Sequence, residues 1–550
     1  MSASTTPVHD ILGIGFGPAN LALAIALEER ESPLTARFLE ARPSPEWQPG
    51  MLLDGSDIQN HPSRDLVTLR NPRSRYTFLN YLHEQGRLLR HLNLPSEFPL
   101  RKEYAGYIRW AAGFFSHLVD CNQRAARVEI VEEFGERLYE VTTMSGSRYL
   151  GRTLVMGPGR TPYVPAPYDA LRTPRIFHLT QYLPKLAELT GGGRAPESVA
   201  VIGGSQSAVE LALDLHRRFP RTKVTTYTRS HSLRLKDTSP FSEEGYFPEF
   251  TEYYFRASRE GKKALDAYMH GTNYSSADGD VLRDLYMTIY EQELDGDQKV
   301  FVRGNHEAVG VAREGADRIA LDFVERTTGE RISETVDFAV LATGFRNMGP
   351  GPHEEPCPPT ARSASSGTTA RSTEKPAWRT TEWISASGCC AARCRTSPAT
   401  ASATALYQAV YQDRFTGRQR LHMHKRTEVT AVDQTPDGRV RLRTEEVFTG
   451  GSGLIEADAV IVCTGYREAA LPRPLAAFVP HLRLDAQGRP EVTRAYRART
   501  TEDCEVGIYL DGLTEWRHGI GSATSFSQMA AKADTIHRDL RARLRHPVAA

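Results

Sequence analysis

The sequence predicts an α/β fold with two parallel-sheet domains and a smaller additional region. A short apolar strand, a glycine-rich turn and an apolar helix follow one another from Ile11 to Leu27. The same order recurs from Ser198 to Arg217, and another apolar strand runs from Val336 to Leu341. Alternating strands and helices are typical of doubly wound sheets. A glycine turn between strand and helix is typical of Rossmann-like nucleotide-binding domains.

The first glycine turn has the residues that bind a dinucleotide pyrophosphate. It reads Ile11-Leu-Gly-Ile-Gly-Phe-Gly-Pro-Ala-Asn20. Glycines let the backbone approach the phosphates, and the helix that follows supplies N–H groups and partial positive charge. The next apolar run ends in an acid about 20 residues downstream, where it can bind a ribose hydroxyl. The predicted ligands are Gly13, Gly15, Gly17, Pro18, Asn20 and Glu40.

The second glycine turn predicts a second dinucleotide site. The strand after this turn leads to Arg229 rather than to an acid. An arginine here can pair with a 2′-phosphate, which favours NADPH over NADH, and the alternative is a solvated arginine. Two such sites, the first of them N-terminal, indicate a flavoprotein with FAD in the first domain and NADPH in an inserted second domain. The predicted NADPH ligands are Gly203, Gly204, Ser205, Gln206, Ser207 and Arg229.

Composition excludes several function classes. The formal net charge of +1 argues against nucleic acid or an anionic membrane surface as a partner. No run of about 18 apolar residues occurs, and the start lacks the pattern of a signal peptide. The 7 cysteines include no metal-like pairs, which fits a reducing cytoplasm better than a disulfide framework. We therefore expect a cytoplasmic enzyme without a metal.

A series of motifs follows a specific order along nearly the whole chain, apart from one central interval. They are Gly15-x-Gly-Pro-x-Asn20, Trp47-x-x-Gly-Met51, Asp65-Leu-Val-Thr-Leu-Arg-Asn-Pro72, Phe78-Leu-Asn-Tyr-Leu82, Gly203-Gly-Ser-Gln-Ser-Ala208, Ser239-Pro-Phe241, Pro248-Glu-Phe-Thr251, Thr272-Asn-Tyr-Ser275, Ala342-Thr-Gly344 and His518-Gly519. The series resembles the FAD- and NADPH-dependent N-hydroxylating monooxygenases that act on L-ornithine or L-lysine in siderophore synthesis.

The resemblance implies a reaction. NADPH would reduce FAD, O2 would form a C4a-hydroperoxyflavin in a dry pocket, and one oxygen atom would pass to an uncharged side-chain amine. L-Ornithine or L-lysine is the default substrate. Another amino acid or a diamine is the first alternative, and an uncoupled or non-catalytic flavoprotein is the second. The resemblance also implies a homodimer or homotetramer.

Only some of the site residues that the resemblance implies have an identical counterpart in this sequence. Gln59 and Asn273 match a glutamine near the flavin and an asparagine that contacts substrate and NADP⁺. Arg64 replaces a lysine that pairs with the substrate carboxylate, and it makes a bidentate contact available. Glu243 replaces a pocket asparagine, and it would either bind a second amino group or face solvent. Ser525, in a C-terminal run that departs from the family, is the expected substrate-contacting serine.

The central interval contains a partial repeat. Three anchors recur at a constant offset of 121 residues (406 − 285, 428 − 307 and 464 − 343). Between the copies, the Ser/Thr/Ala/Arg/Pro-rich composition cannot bury a core and is expected to be disordered. We expect a duplicated segment that has decayed or been read out of frame, and a natural flexible insertion is the alternative. The anchors are Leu285–Tyr290 with Leu406–Tyr411, Glu307–Val311 with Glu428–Val432, and Ala342–Arg346 with Cys463–Arg467.

These observations predict a domain order and complete the expected cofactor site. The resemblance adds Trp47 and two Thr-Gly strand ends, Thr343-Gly344 and Thr464-Gly465. The predicted order begins with an FAD-binding part at 1–190, followed by an NADPH-binding domain at 191–335 that includes a substrate-contacting segment at 237–278. The chain then returns to the FAD domain at 336–357 and continues with a low-complexity insertion at 358–404. A partial repeat of 284–346 follows at 405–467, and the C-terminal FAD part occupies 468–550.

Overall fold

In the computed structural model of the chain, a first unit comprises Met1–Glu355 and Glu468–Ala550, and a second comprises Pro356–Arg467. The structure describes residues 6–94, 98–165, 168–169, 173–191, 195–315, 317–346, 384–386, 423–425, 427–434, 440–446, 452–457, 473–485, 487–501 and 507–544.

The first sheet carries the first glycine turn. Its order is β3-β2-β1-β6-β5-β4, with β22 paired to β6. The strands β1, β2, β3, β6 and β22 run parallel, so their carboxyl ends meet at one edge, while β4 and β5 are antiparallel. The strands are β1 (Val8–Ile14), β2 (Ala36–Leu39), β3 (Val119–Asp120), β4 (Ala125–Glu133), β5 (Glu136–Thr143), β6 (Arg148–Met156) and β22 (Gly507–Leu510).

The helix after the first turn is buried over most of its length. Helix α1 (Pro18–Glu29) begins with proline, whose fixed φ suits a first helical position. Its residues from Asn20 to Leu27 are all buried, because they pack in a core shared with the final helix α13 (Phe526–Arg543). The amino- and carboxyl-terminal parts of the chain therefore complete one domain.

The second sheet carries the second glycine turn and is parallel throughout. Its order is β11-β10-β9-β15-β8. The sequence placed 336–357 in the first domain, but β15 pairs with β9 and β8 here. Strand β22 instead joins the first sheet. The strands are β8 (Ile176–His178), β9 (Ser198–Ile202), β10 (Lys223–Tyr227), β11 (Val300–Arg303) and β15 (Phe338–Leu341), with a separate pair β7 (Thr161–Pro162) and β16 (Phe345–Arg346).

An antiparallel meander packs on the second sheet. It consists of β12 (His306–Glu314), β13 (Arg318–Glu325) and β14 (Arg331–Val336). Phe323 stacks on Tyr227 of the sheet with ring centroids 3.9 Å apart and an interplanar angle of 10°. This meander therefore belongs to the core of the second nucleotide-binding domain.

The second unit contains a meander of the same plan. The repeat anchors at 406–411 and 463–467, together with Thr464 and Gly465, lie outside the described residues. So does the interval 358–404, except for β17. The strands are β17 (Ile384–Ala386), β18 (Met423–Lys425), β19 (Thr427–Gln434), β20 (Val440–Glu446) and β21 (Ser452–Ala457).

The remaining helices of the described residues lie in the first unit. Among the described residues, none of the helices combines the length and apolar composition needed to cross a bilayer. The α-helices are α2 (Phe78–Glu84), α3 (Leu88–Leu92), α4 (Arg101–Gly113), α5 (Tyr182–Thr190), α6 (Gln206–Arg218), α7 (Pro240–Glu243), α8 (Pro248–Arg256), α9 (Arg259–Met269), α10 (Gly279–Asp295), α11 (Glu515–His518) and α12 (Gly521–Thr524). Short 3₁₀ helices span Pro49–Met51, Ser116–Leu118, Leu179–Gln181, Glu244–Tyr246, His270–Thr272 and Arg473–His481.

Candidate functional site

The three glycines of the first turn have different reasons to lack a side chain. A Cβ on Gly13 would lie 2.2 Å from the Phe38 ring. Gly15 has a φ of +82°, and its Cβ would lie 2.5 Å from the Gly157 carbonyl oxygen. A Cβ on Gly17 would meet nothing within 4 Å. Packing therefore requires the first two glycines, whereas Gly17 leaves open space at the amino end of α1, where a pyrophosphate would lie.

Asn20 and Glu40 brace this turn. The buried Asn20 amide donates from Nδ2 to the carbonyl oxygens of Ile14 at 3.2 Å and Gly15 at 2.6 Å. Glu40 follows β2 and accepts from the backbone N–H of Phe16 at 2.9 Å. Its carboxylate therefore lies at the sheet edge beside the turn, and its role as a ribose ligand stays a prediction.

Trp47 belongs to an aromatic cluster beside the first domain. Its ring meets Tyr104 edge to face at 5.7 Å and Phe526 at 5.6 Å. Phe526 begins α13, so the cluster joins the loop after β2 to the carboxyl-terminal helix. The role of Trp47 in cofactor binding stays a prediction.

The glycines of the second turn pack closely against neighbouring atoms, Gly203 against backbone and Gly204 against a side chain. Gly203 has a φ of +149°, and its Cβ would lie 2.3 Å from the carbonyl oxygen of Ala342. A Cβ on Gly204 would lie 2.4 Å from Oγ1 of Thr228. Ser205 precedes α6, and both Ser205 and Ser207 are partly exposed. The amino end of α6 is thus accessible to a phosphate.

Gln206 connects this turn to the segment predicted to contact substrate. Its backbone N–H donates to the carbonyl oxygen of Ser276 at 2.9 Å. Its side-chain Oε1 accepts from the backbone N–H of Asp278 at 2.8 Å. Its Nε2 also donates to Glu210 at 3.1 Å. Gln206 therefore holds the end of the 237–278 segment against the nucleotide turn.

Arg229 lies exposed beyond the end of β10, beside Arg326, whose guanidinium also lies 3.6 Å from Glu307. Nη1 of Arg326 donates to the carbonyl oxygen of Arg229 at 3.0 Å. The exposed Arg303 ends the neighbouring β11. The sequence did not identify Arg326, because it follows Arg229 by 97 residues and only the meander brings it back.

The Thr343-Gly344 strand end binds protein groups on two sides. Thr343 Oγ1 donates to the carbonyl oxygen of Tyr163. The Gly344 carbonyl accepts from the Tyr163 N–H at 3.0 Å and from Nε2 of His178 at 2.9 Å. Burial lowers the pKa of His178 to about 4, so the neutral ring donates this hydrogen bond near pH 7.

The loop that contains Gln59 faces the predicted substrate segment. Gln59 has a φ of 51°, and its N–H donates to the Asp57 carboxylate at 3.0 Å. Oε1 of Gln59 lies 3.5 Å from Nζ of Lys236, which lies 3.8 Å from Asp278. Burial, with nearby carboxylates, raises the pKa of Asp57 to about 6. Sequence reasoning missed both Asp57 and Lys236.

The two substitutions that depart from the resemblance are partners of each other. Nη1 of Arg64 donates to Oε2 of Glu243 at 3.1 Å, across 179 residues of sequence. The guanidinium also lies 5.9 Å from the centroid of the Phe247 ring. Glu243 was expected either to bind an amino group or to face solvent, and it instead lies half-buried beside a cation.

Asn273 and Ser525 are placed differently. Asn273 is exposed after a short 3₁₀ helix, next to Tyr274, whose hydroxyl donates to Glu515 at 2.6 Å. Oγ of Ser525 accepts from the N–H of Ser527 at 3.1 Å and caps α13. Within the described part of the chain, hydrogen bonds join neither residue to the Arg64–Glu243 pair. Their substrate contacts stay predictions.

A buried ion pair at the end of β22 was missed by sequence reasoning. Nζ of Lys532 lies 2.8 Å from Oδ1 of Asp511, and their side chains are 4% and 0% exposed. Lys532 also donates to the carbonyl oxygen of Ser522 at 3.2 Å. The only signal in the sequence is a lysine within the alanine-rich part of the final helix. The pair fixes α13 against the edge of the first sheet.

Comparison with known proteins identifies the family. The family model for L-lysine 6-monooxygenase/L-ornithine 5-monooxygenase matches residues 7–347 and 393–468. The chain belongs to this family. It is 36% identical over 348 residues to an L-ornithine N(5)-monooxygenase of Burkholderia cepacia, which covers 62% of this chain and 78% of that protein. It is also 36% identical over 357 residues to one from Pseudomonas aeruginosa, with 63% and 80% covered.

Solved structures of N-hydroxylases have the same fold. The ornithine N-hydroxylase of Kutzneria sp. 744, with FADred, NADP⁺ and L-orn, matches with a TM-score of 0.70 at 27% identity. The L-lysine 6-monooxygenase of Pseudomonas syringae matches with a TM-score of 0.59 at 26% identity. Both alignments cover 98% of this chain and 100% of the other. The predicted α/β fold with two nucleotide domains is confirmed.

Membership in the lysine/ornithine monooxygenase family also confirms the predicted enzyme class and cofactors. The protein is a flavin-dependent N-hydroxylase of an amino acid that uses FAD and NADPH. The residues present fit both groups, because each sheet edge presents a glycine turn and a helix amino end. When bound, FAD supplies the redox and oxygen chemistry. The chain's own residues bind and orient the reactants.

Proposed function

We propose that this enzyme N-hydroxylates the side-chain amine of L-ornithine, with L-lysine as the second candidate. Relatives named as L-ornithine monooxygenases, at 36% identity, support this assignment. FAD would lie at the Gly15–Glu40 edge of the first sheet and NADPH at the Gly203–Arg229 edge of the second. The substrate would lie between the Gln59 loop and the 237–278 segment, where Lys236 already approaches Gln59 at 3.5 Å.

The observation that carries this proposal is the fixed position of Arg64. Its carbonyl accepts from Asn60 Nδ2 at 2.6 Å. The next residue, the buried Asp65, accepts from the N–H groups of Val67 at 2.9 Å and Phe78 at 2.7 Å. The Arg64 side chain remains 27% exposed. A cation held at one place on the wall of a site is what a substrate carboxylate needs.

The protein's contribution would then be placement and exclusion of water. Arg64 would hold the carboxylate end, so that the side-chain amine extends toward the cofactor sites. Gln59 and Asn273 would border the flavin and the nicotinamide. Orientation of this kind lowers the barrier of a transfer step because the reacting atoms are already adjacent.

Substrate identity is tested with a panel of amines. NADPH oxidation and hydroxylamine formation would be measured with L-ornithine, L-lysine, putrescine and L-aspartate. We expect hydroxylamine from ornithine, less from lysine, and none from aspartate. Hydrogen peroxide as the sole product with every amine would contradict the proposal and indicate an uncoupled flavoprotein.

Arg229 is predicted to determine the preference for NADPH. Arg229→Ala should raise the KM for NADPH about 10- to 100-fold and leave that for NADH nearly unchanged, because only NADPH has the 2′-phosphate. Arg221→Ala is the matched control, since Arg221 is exposed just before β10, away from its carboxyl end. Equal increases for both nucleotides would contradict the assignment.

We also propose the cellular setting and the assembly. The odd number of cysteines, with no metal-like pairs among them, favours a cytoplasmic enzyme. The family resemblance favours a homodimer or homotetramer. Light scattering coupled to gel filtration would measure the mass, and a monomer would contradict the assembly.

A further inference from the structure

Arg64 and Glu243 form an ion pair that differs from a structural ion pair of the same unit. Their contact is a single hydrogen bond of 3.1 Å, and their side chains are 27% and 26% exposed. By contrast, Arg101 donates to both carboxylate oxygens of Glu210 at 2.9 Å, and these side chains are 9% and 6% exposed. The Arg101 pair is enclosed, whereas both side chains of the Arg64 pair remain partly exposed and accessible to a ligand.

The backbone on each side of the Arg64–Glu243 pair is held in place. Arg64 is anchored through Asn60 and the loop that follows it. Glu243 ends α7, whose first turn is held by Asp237, because its carboxylate accepts from Ser242 Oγ at 2.6 Å. The backbone therefore places the two opposite charges next to each other, while a single hydrogen bond joins their side chains.

An α-amino acid carries the complementary pair of charges. Its carboxylate and ammonium groups are on one carbon atom, so they can face a guanidinium and a carboxylate together. A partly exposed ion pair is weak in water, so a ligand opens it at low cost. A diamine would place a cation beside Arg64, and an ω-amino acid without an α-amine would leave Glu243 without a ligand partner.

We propose that Arg64 binds the α-carboxylate and Glu243 the α-ammonium of the substrate, so that the pair selects zwitterionic α-amino acids. The inference rests on the proposed function, because it concerns the same substrate. It adds Glu243 as a residue that determines specificity.

Three ligands that differ by one group test this division. L-Ornithine has both α-groups, putrescine lacks the carboxylate, and 5-aminopentanoate lacks the α-amine. Calorimetric titration of the FAD-loaded enzyme with NADP⁺ would give Kd values without turnover. If the wild type prefers lysine, then lysine, cadaverine and 6-aminohexanoate replace the series.

Each substitution should remove the preference for ornithine over one of the two analogues. Glu243→Gln should weaken ornithine binding about 10- to 100-fold and leave 5-aminopentanoate unchanged, because only ornithine has the α-ammonium. Arg64→Gln should weaken ornithine binding similarly and should not weaken putrescine binding, because putrescine has no carboxylate for Arg64 to bind. Arg64→Lys keeps the charge and should retain the preference over putrescine. Glu244→Gln, which removes an exposed charge one residue away, should change nothing.

Several outcomes would overturn the proposal. If Glu243→Gln weakened the binding of ornithine and the binding of 5-aminopentanoate equally, the role of Glu243 would be only to orient Arg64. Unchanged preferences in both variants, or no binding of either amino acid, would also overturn it. If Glu243→Gln lost FAD, Glu243→Asn would take its place. Binding without hydroxylamine formation would contradict the proposed function and still decide the role of the pair.

Discussion

The two meanders of this chain share a strand plan and differ in the residues that pack. Strands β12, β13 and β14 begin at positions 306, 318 and 331. Strands β19, β20 and β21 begin at positions 427, 440 and 452. Each first strand has a bulge, between Ala308 and Gly310 in one and between Val429 and Ala431 in the other. The bulges lie 121 residues apart, which is the offset of the sequence repeat. Strand register is therefore a property of the local sequence in both copies.

The two copies differ at positions that are buried in the first meander. In the first, Ile319, Leu321 and Phe323 are buried against the second parallel sheet. The corresponding positions of the second copy are Val440, Leu442 and Thr444. The aromatic ring that stacks on Tyr227 therefore has no counterpart at position 444. The first meander therefore has an aromatic ring that packs on the nucleotide domain, whereas the second has a threonine at the corresponding position in the sequence.

Excision of one copy at a time should give the largest difference between the two meanders. Removing 347–467 or removing 306–426 deletes 121 residues and keeps one meander in register. We expect the first deletion to leave a soluble, FAD-loaded enzyme, because β12–β14 and their contacts remain. The second should have a lower Tm and less FAD, because Thr444 would replace Phe323. An insoluble or FAD-free product from the first deletion would refute the duplication hypothesis.

The substitution Phe323→Thr in the full chain would place in the first meander the residue that the second meander has at the corresponding position, 444. It should reduce the free energy of unfolding by about 3 kcal/mol, since a large buried side chain is truncated. Thermal unfolding followed by flavin fluorescence would measure it. Phe323→Leu preserves most of the burial and removes the stacking, so its cost should be about 1 kcal/mol. A negligible effect of Phe323→Thr would show that the stacking on Tyr227 does not distinguish the copies.

Ile319→Val would give the smallest effect. It removes one methylene from a fully buried residue, and the expected cost is about 1 kcal/mol. The same unfolding measurement applies. A loss as large as that of Phe323→Thr would mean that the whole face, rather than the aromatic ring, separates the two meanders.

The candidate site was predictable where it depends on neighbouring residues. Gly15, Gly203 and the helices after them follow from strand–turn–helix patterns, and the structure places them at the two sheet edges. The resemblance assigned both Arg64 and Glu243 to the substrate pocket, but their contact with each other was not predicted, because 179 residues separate them. Gln59 was placed by resemblance, but its neighbour Lys236 depends on how two loops meet.

The sequence by itself determined the elements of this protein: which runs are strands, where the backbone must turn through glycine, and which segment repeats. These depend on steric preferences and periodicity within a few residues. The tertiary structure decided which sheet receives each strand and which charges become neighbours. β15 and β22 are both short apolar strands, yet β15 joins the second sheet and β22 the first. Their partners lie more than a hundred residues away, and only packing of the whole chain selects them.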